Sequence, residues 1–219
     1  MKKTFLSISI IAASFILLSD VNAQDNLSLG VKGNFGHSWM NGDGKNLFKP
    51  SYGAGLRLVY SANAHLGIGG DLSFSAEGSK KELSEGQTEV CTNLNYIRLT
   101  PQVLYFFGEY GDAVRPKIFA GPSLGFLVGG KTKTTVGDVT TSVDSKDSYK
   151  GFDAGALIGA GVNCRVAPGK WLNLDLGYTH GFIDQTKADN STAYNRNFVI
   201  GVGLTWGIGK VKPDDIGVK

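Results

Sequence analysis

The sequence predicts an all-β protein, an eight-stranded antiparallel up-and-down barrel that crosses a membrane. Three observations predict it. Residues Asn93 to Phe107 put Ile97, Leu99, Pro101, Val103, Tyr105 and Phe107 on one parity and Tyr96, Arg98, Thr100 and Gln102 on the other. Strand side chains alternate faces, so this is a strand with one apolar and one largely polar side. It runs for about fifteen residues, where globular strands average ~5–6 and a tilted membrane-crossing strand needs ~9–11. The same alternation recurs in seven further segments. The connections between segments are alternately long and short, as in outer-membrane barrels with long outer loops and short periplasmic turns.

The first 23 residues read as a cleaved secretory leader. Lys2 and Lys3 give a positive start, Phe5 to Leu18 is apolar apart from small residues, and Val21-Asn22-Ala23 supplies a cleavage site before Gln24. The apolar run is shorter than the ~20 residues of a membrane-spanning helix, and no cysteine follows it to take a lipid. Residues 24–209 are then the barrel domain and 210–219 a periplasmic tail, with Asp214 and Asp215 after Pro213 reading as solvated coil.

In chain order the strands are Leu27–Phe35, Tyr52–Tyr60, Leu66–Phe74, Asn93–Phe107, Lys117–Val128, Phe152–Val166, Leu172–Phe182 and Asn197–Ile208. Each has an apolar parity facing one with Gly, Ser, Asn and scattered charges. The long connections are 37–50, 75–92, 129–150 and 183–196; the short ones are 61–65, 108–116 and 167–171. An even strand number leaves both chain ends on the short-turn side. Closure satisfies every backbone group in lipid, which an open sheet cannot do.

Aromatic residues support the same reading. Phe35, Tyr52, Phe74, Phe126, Phe152, Tyr178 and Phe198 lie on the apolar parity near the long loops. Tyr60, Tyr105, Phe107 and Trp206 lie on it near the short turns. Two such levels are the interfacial girdles of a barrel in lipid. The competing architecture is a soluble, lipocalin-like carrier, in which the apolar parity turns inward around a ligand.

Composition narrows the function classes. The formal charge is +3, and +2 once Lys2, Lys3 and Asp20 are removed, which argues against a nucleic-acid partner. Two cysteines in an exported chain of 219 residues are not a disulfide scaffold. Cys91 and Cys164 fall at opposite ends of the predicted barrel, too far apart for the ~7 Å Cα limit of a disulfide. Glycine, 31 of 219, is about twice its usual ~7% share.

Four stretches resemble the PorT-like outer-membrane β-barrel proteins. Tyr96-Ile97-Arg98-Leu99-Thr100-Pro101 is similar to that family's Tyr-Leu-Glu-Ile-Pro strand, and Ala120-Gly121-Pro122-Ser123-Leu124-Gly125-Phe126 to its fifth strand. Leu174 to Phe182 resembles the penultimate strand and its turn, and the Gly-rich Phe198–Gly207 the last strand. The resemblance spans nearly all of residues 24–208. It implies an integral outer-membrane barrel of a Gram-negative bacterium, with some members associated with protein secretion. Arg98 stands where the family usually has an acid, and the chain runs past Ile208, with Trp206 as the counterpart of the usual terminal aromatic.

The candidate site is the charge on the polar parity: Lys32, Arg57, Arg98, Lys117 and Arg165 against Asp71, Asp153 and Asp175. An eight-stranded barrel is narrow and mostly filled by side chains. These groups therefore form an ion-pair plug, or else line a narrow, anion-preferring pore with space left by lumen glycines. Partners are the lipid bilayer and whatever the loops 37–50, 75–92, 129–150 and 183–196 contact. The sequence offers no catalytic constellation, cofactor or metal site. His37, His65 and His180 are scattered, and Asp138, Asp144 and Asp147 lack calcium-loop spacing.

Overall fold

The computed structural model describes residues 26–42, 44–83, 88–189 and 191–208. The leader at 1–23 and the tail at 210–219 lie outside them. Eight long strands close a ring: β1 (Leu27–Met40), β3 (Pro50–Ser61), β4 (Leu66–Leu83), β5 (Thr88–Phe106), β6 (Val114–Gly129), β9 (Phe152–Ala167), β10 (Lys170–Asp184) and β11 (Tyr194–Ile208). Each pairs antiparallel with its sequence neighbour, β4–β5 included, and β1 pairs with β11 to complete the circle. Three short strands and one helical turn lie in the connections: β2 (Lys45–Leu47), β7 (Lys131–Val136), β8 (Val139–Asp144) and α1 (Ser145–Ser148).

The register gives the barrel its shape. Stepping between paired residues from Leu27 leads through Tyr60, Ile68, Val103, Ala120, Ile158, Tyr178 and Phe198 to His37, ten residues further along β1. Ten residues at ~3.3 Å against eight spacings of ~4.8 Å tilt the strands by about 40° from the axis. Every step lands on the outward parity.

Burial shows which face meets lipid. Leu56, Ile68, Leu72, Val103, Ile118, Leu176, Ile200 and Val202 are exposed, whereas Arg57, Asp71, Arg98, Lys117, Asp153 and Asp175 are buried. That inversion excludes the lipocalin-like alternative, which needs the apolar parity inside. The girdle rings lie on the outer wall at both levels, all exposed except the half-buried Tyr178, and pair across strands, Phe35 with Tyr52, Phe126 with Phe152 and Tyr178 with Phe198. Tyr52 and Tyr60 are eight residues apart on one tilted strand. That separates the girdles by about 20 Å along the axis, close to the ~25 Å apolar band of such barrels.

The short turns have local causes. Pro168 and Gly169 join β9 to β10, with Gly169 at φ 66°. Asn63 Oδ1 accepts from the amides of His65 and Leu66, and Asp112 Oδ2 from that of Glu109. The long connections differ from expectation. The described residues of region 75–92 are strand rather than loop: β4 and β5 stay paired from Leu66↔Tyr105 to Leu83↔Thr88. Here the alternation continues past the membrane with polar rather than apolar outward residues, so a hydrophobicity pattern ends before the strand does. Region 129–150 holds the β7–β8 hairpin and α1, and β1 runs four residues into region 37–50, which also holds β2. In region 183–196, β11 already begins at Tyr194.

Candidate functional site

The lumen contains two layers of charge. In the lower one Arg57 donates from Nε and Nη2 to Asp71 at 2.7 and 2.9 Å and from Nη1 to Asp175 at 2.5 Å. Lys32 Nζ lies 2.9 Å from Asp71, and Lys117 Nζ lies 2.9 Å from Asp175 while donating to Asn163 and Asn173. Three cations face two acids. In the upper layer Arg98 donates twice to Glu77, both at 2.7 Å, once to Asp153 at 2.6 Å, and to Ser123 at 3.2 Å. One cation faces two acids. The two layers are opposite in net charge and together neutral.

Arginine suits both positions because its planar fork binds two carboxylates in fixed directions. A buried charge left without such partners would cost several kcal/mol. The lumen glycines make room for these side chains. A Cβ at Gly125 would stand 3.0 Å from Arg98 Nη1, and one at Gly201 3.0 Å from the Lys32 side chain. One at Gly161 would overlap the Asp175 carboxylate, and one at Gly159 the Phe119 ring. The space expected at glycine is filled, and the cavity between the layers is about 60 Å³, room for roughly two waters.

The long-loop end of this plug is covered. Above it, Met40, Leu94 and Tyr96 form a buried apolar cluster. Gln185 is fully buried there. It accepts from Tyr96 Oη at 3.1 Å and donates to Asp153 at 3.1 Å. The 183–196 connection is held over the mouth by Asp184, whose carboxylate accepts from the amides of Thr186 and Ala193. Although burial opposes it, these amide contacts and Lys150 hold the Asp184 carboxyl below its ordinary value. Below the upper layer, Val59, Leu104, Phe106, Phe119 and Leu157 pack inside the barrel as a small core.

Seven of the eight residues proposed from sequence sit in these layers: Lys32, Arg57, Asp71, Arg98, Lys117, Asp153 and Asp175. Arg165 does not. It pairs in register with Trp171 beside the β9–β10 turn, which sets it at the short-turn mouth. Glu77 takes its place in the network, and Gln185, Asn195 and Arg115 are further buried polar residues not foreseen. A signal for Glu77 was present: Ser75, Glu77 and Ser79 continue the inward parity of β4.

The histidines belong to the rims. His37 stacks on Trp39 and Phe48, His180 contacts Tyr178 and Phe182, and His65 stacks on Tyr105. Asp144 accepts from the Lys146 amide as the cap of α1, and Asp138 follows Gly137 in the β7–β8 turn. Cys91 and Cys164 are both free, at opposite ends of the barrel wall.

On the long-loop side, β2, β4, β5, β7 and β8 form a continuous antiparallel sheet in that order. From Phe74 to Leu83 it rises about 20 Å beyond the upper girdle at ~3.3 Å per residue and the barrel tilt. Its last strand, β8, is exposed at every residue.

The model of the outer membrane protein beta-barrel domain matches residues 22–187. Among solved structures, OprG from Pseudomonas aeruginosa is similar with a TM-score of 0.54 at 11% identity, covering 86% of this chain and 98% of that one. Neisserial surface protein A follows at 0.48 and 14%, covering 83% and 96%. Ail, the attachment invasion locus protein of Yersinia pestis, gives 0.44 and 19%, covering 84% and 100%. No curated protein matches the chain. The ring of eight strands, the inverted burial and the family match agree: the chain belongs to the outer membrane protein beta-barrel domain family.

Proposed function

We propose that this protein binds a partner outside the cell through its protruding sheet, with the barrel serving as an anchor rather than as a pore or an enzyme. The free edge of β8 carries the reading. Val139–Asp144 is exposed throughout and contains no proline and no lysine, the usual means by which an edge is protected from pairing. Gly137 and Asp138 close the hairpin with Val136 opposite Val139. In that register Val139, Thr141 and Val143 bond back to β7, and the amides of Thr140 and Ser142 point outward. Such an edge accepts an extended polypeptide strand, with main-chain bonds for affinity and alternate side chains for selectivity. The PorT-like likeness of the four strand stretches belongs to this reading, and a secreted or cell-surface polypeptide is the matching partner class. The charge layers argue against the narrow anion pore.

The test is selection of phage-displayed peptides on the protein in lipid nanodiscs. Enrichment of extended, β-branched peptides that lose binding to Ser142→Pro is expected, together with silence in planar bilayers. Anion-selective steps, or peptide binding indifferent to Ser142→Pro, would reject it.

A further inference from the structure

The lumen ends on the short-turn side in a cup of about 220 Å³, open at the short-turn mouth among the described residues and closed above by the lower charge layer. It holds roughly seven waters' worth of space. Its walls are unequal in character. Val59, Leu104, Phe106 and Trp171 line it with apolar surface, and Arg115, Lys117 and Arg165 with positive charge. No Asp or Glu is among its described lining residues.

Arg115 is the informative group. It is 6% exposed, and its guanidinium lies 4.6 Å over Phe106 and 5.5 Å from Tyr110. One terminal nitrogen donates to the carbonyl of Ala64, while Nε is buried and has no partner among the described residues. A buried donor is normally satisfied, and a charged one left open costs more than a neutral one. Two aromatic contacts and one carbonyl hold this fork in place, and Asp112 and Glu109 of the adjoining turn attract it without forming an ion pair with it among the described residues. At the roof, Lys117 is held by Asp175, Asn163 and Asn173.

We propose that this cup binds a small organic anion, with a carboxylate or phosphate at Arg115 and Arg165 and an apolar or ring-shaped body against Phe106, Leu104 and Trp171. The chemistry is that of an apolar pocket with a few convergent polar groups, and arginine is the side chain suited to both anions. The site faces the opposite compartment from the β8 edge and does not depend on it.

The experiment is calorimetric titration of the protein, extracted in zwitterionic micelles, with phenyl phosphate and, separately, with micelles containing phosphatidylglycerol. Saturable binding that weakens about tenfold or more in Arg115→Gln, and weakens with added salt, supports the site. Saturation by phenyl phosphate identifies a free anion as the occupant, and saturation by phosphatidylglycerol alone a lipid headgroup. If Arg115→Gln gives no heat-modifiable band, the half-buried Arg165→Gln takes its place, with the same direction expected. No saturable heat with either probe, or binding unchanged in the folded variant, overturns the proposal.

Discussion

Arg98→Met would remove the only cation of the upper lumen layer among the described residues. Glu77 and Asp153, 2% and 1% exposed, would lose three hydrogen bonds from that side chain, and Ser123 a fourth. Glu77 keeps donors in Ser75 and Asn195, and Asp153 keeps Gln185. Neither acid has another cation in its layer. Breaking a buried pair from one side costs about 3–5 kcal/mol, and the contact of the guanidinium with the Tyr96 ring, at 4.8 Å, adds up to ~2 kcal/mol. Methionine restores part of the stem's packing, so the expected loss is about 3–5 kcal/mol. The assay is urea unfolding in phospholipid vesicles, followed by tryptophan fluorescence and by heat-modifiable migration on gels. Adding Glu77→Gln and Asp153→Asn removes the stranded charges and should recover most of the loss, because neutral groups of the same shape are far cheaper to bury. A loss below ~1 kcal/mol for Arg98→Met, the scale of exposed pairs, would mean that water fills the lumen, and the plug would have to be abandoned.

Three further outcomes are expected. Gly161→Ala drives a methyl into the Asp175 carboxylate and should cost ~1–3 kcal/mol in the same unfolding assay, whereas Gly207→Ala, whose nearest neighbour would be 3.8 Å away, should be close to neutral. The depressed Asp184 carboxyl tethers the 183–196 connection; its stabilisation is complete above the ordinary carboxylate range and disappears as pH falls through the lower folded value. Asp184→Asn should therefore speed amide exchange at Ala193 and Thr186 at neutral pH and reduce the acid-dependent loosening. An impermeant maleimide should label Cys91 on intact cells in Cys164→Ser and leave Cys164 unlabelled in Cys91→Ser; the reverse pattern would invert the orientation.

The comparison between residues and fold divides by range. Strand identity, the face each residue takes and both aromatic girdles were legible in the order of residues, because a two-residue period and a lipid-facing wall are written locally. Arg57 and Asp71 were legible as inward-facing, and so were Arg98 and Asp153. Their partners were not. Arg98 reaches Glu77 across 21 positions and Asp153 across 55, and Arg57 reaches Asp175 across 118. Those meetings depend on the ten-residue stagger, a sum of registers around the whole ring that no single strand encodes. The same sum carries Arg165 to the mouth, away from the charges it resembles in sequence. The outer sheet escaped notice for another reason. Above the membrane the outward residues of β4 and β5 meet water instead of lipid, so the apolar alternation stops while the hydrogen-bonded ladder continues to Leu83 and Thr88. Polarity along a strand reports the solvent at each level, and only the assembled backbone shows where pairing ends.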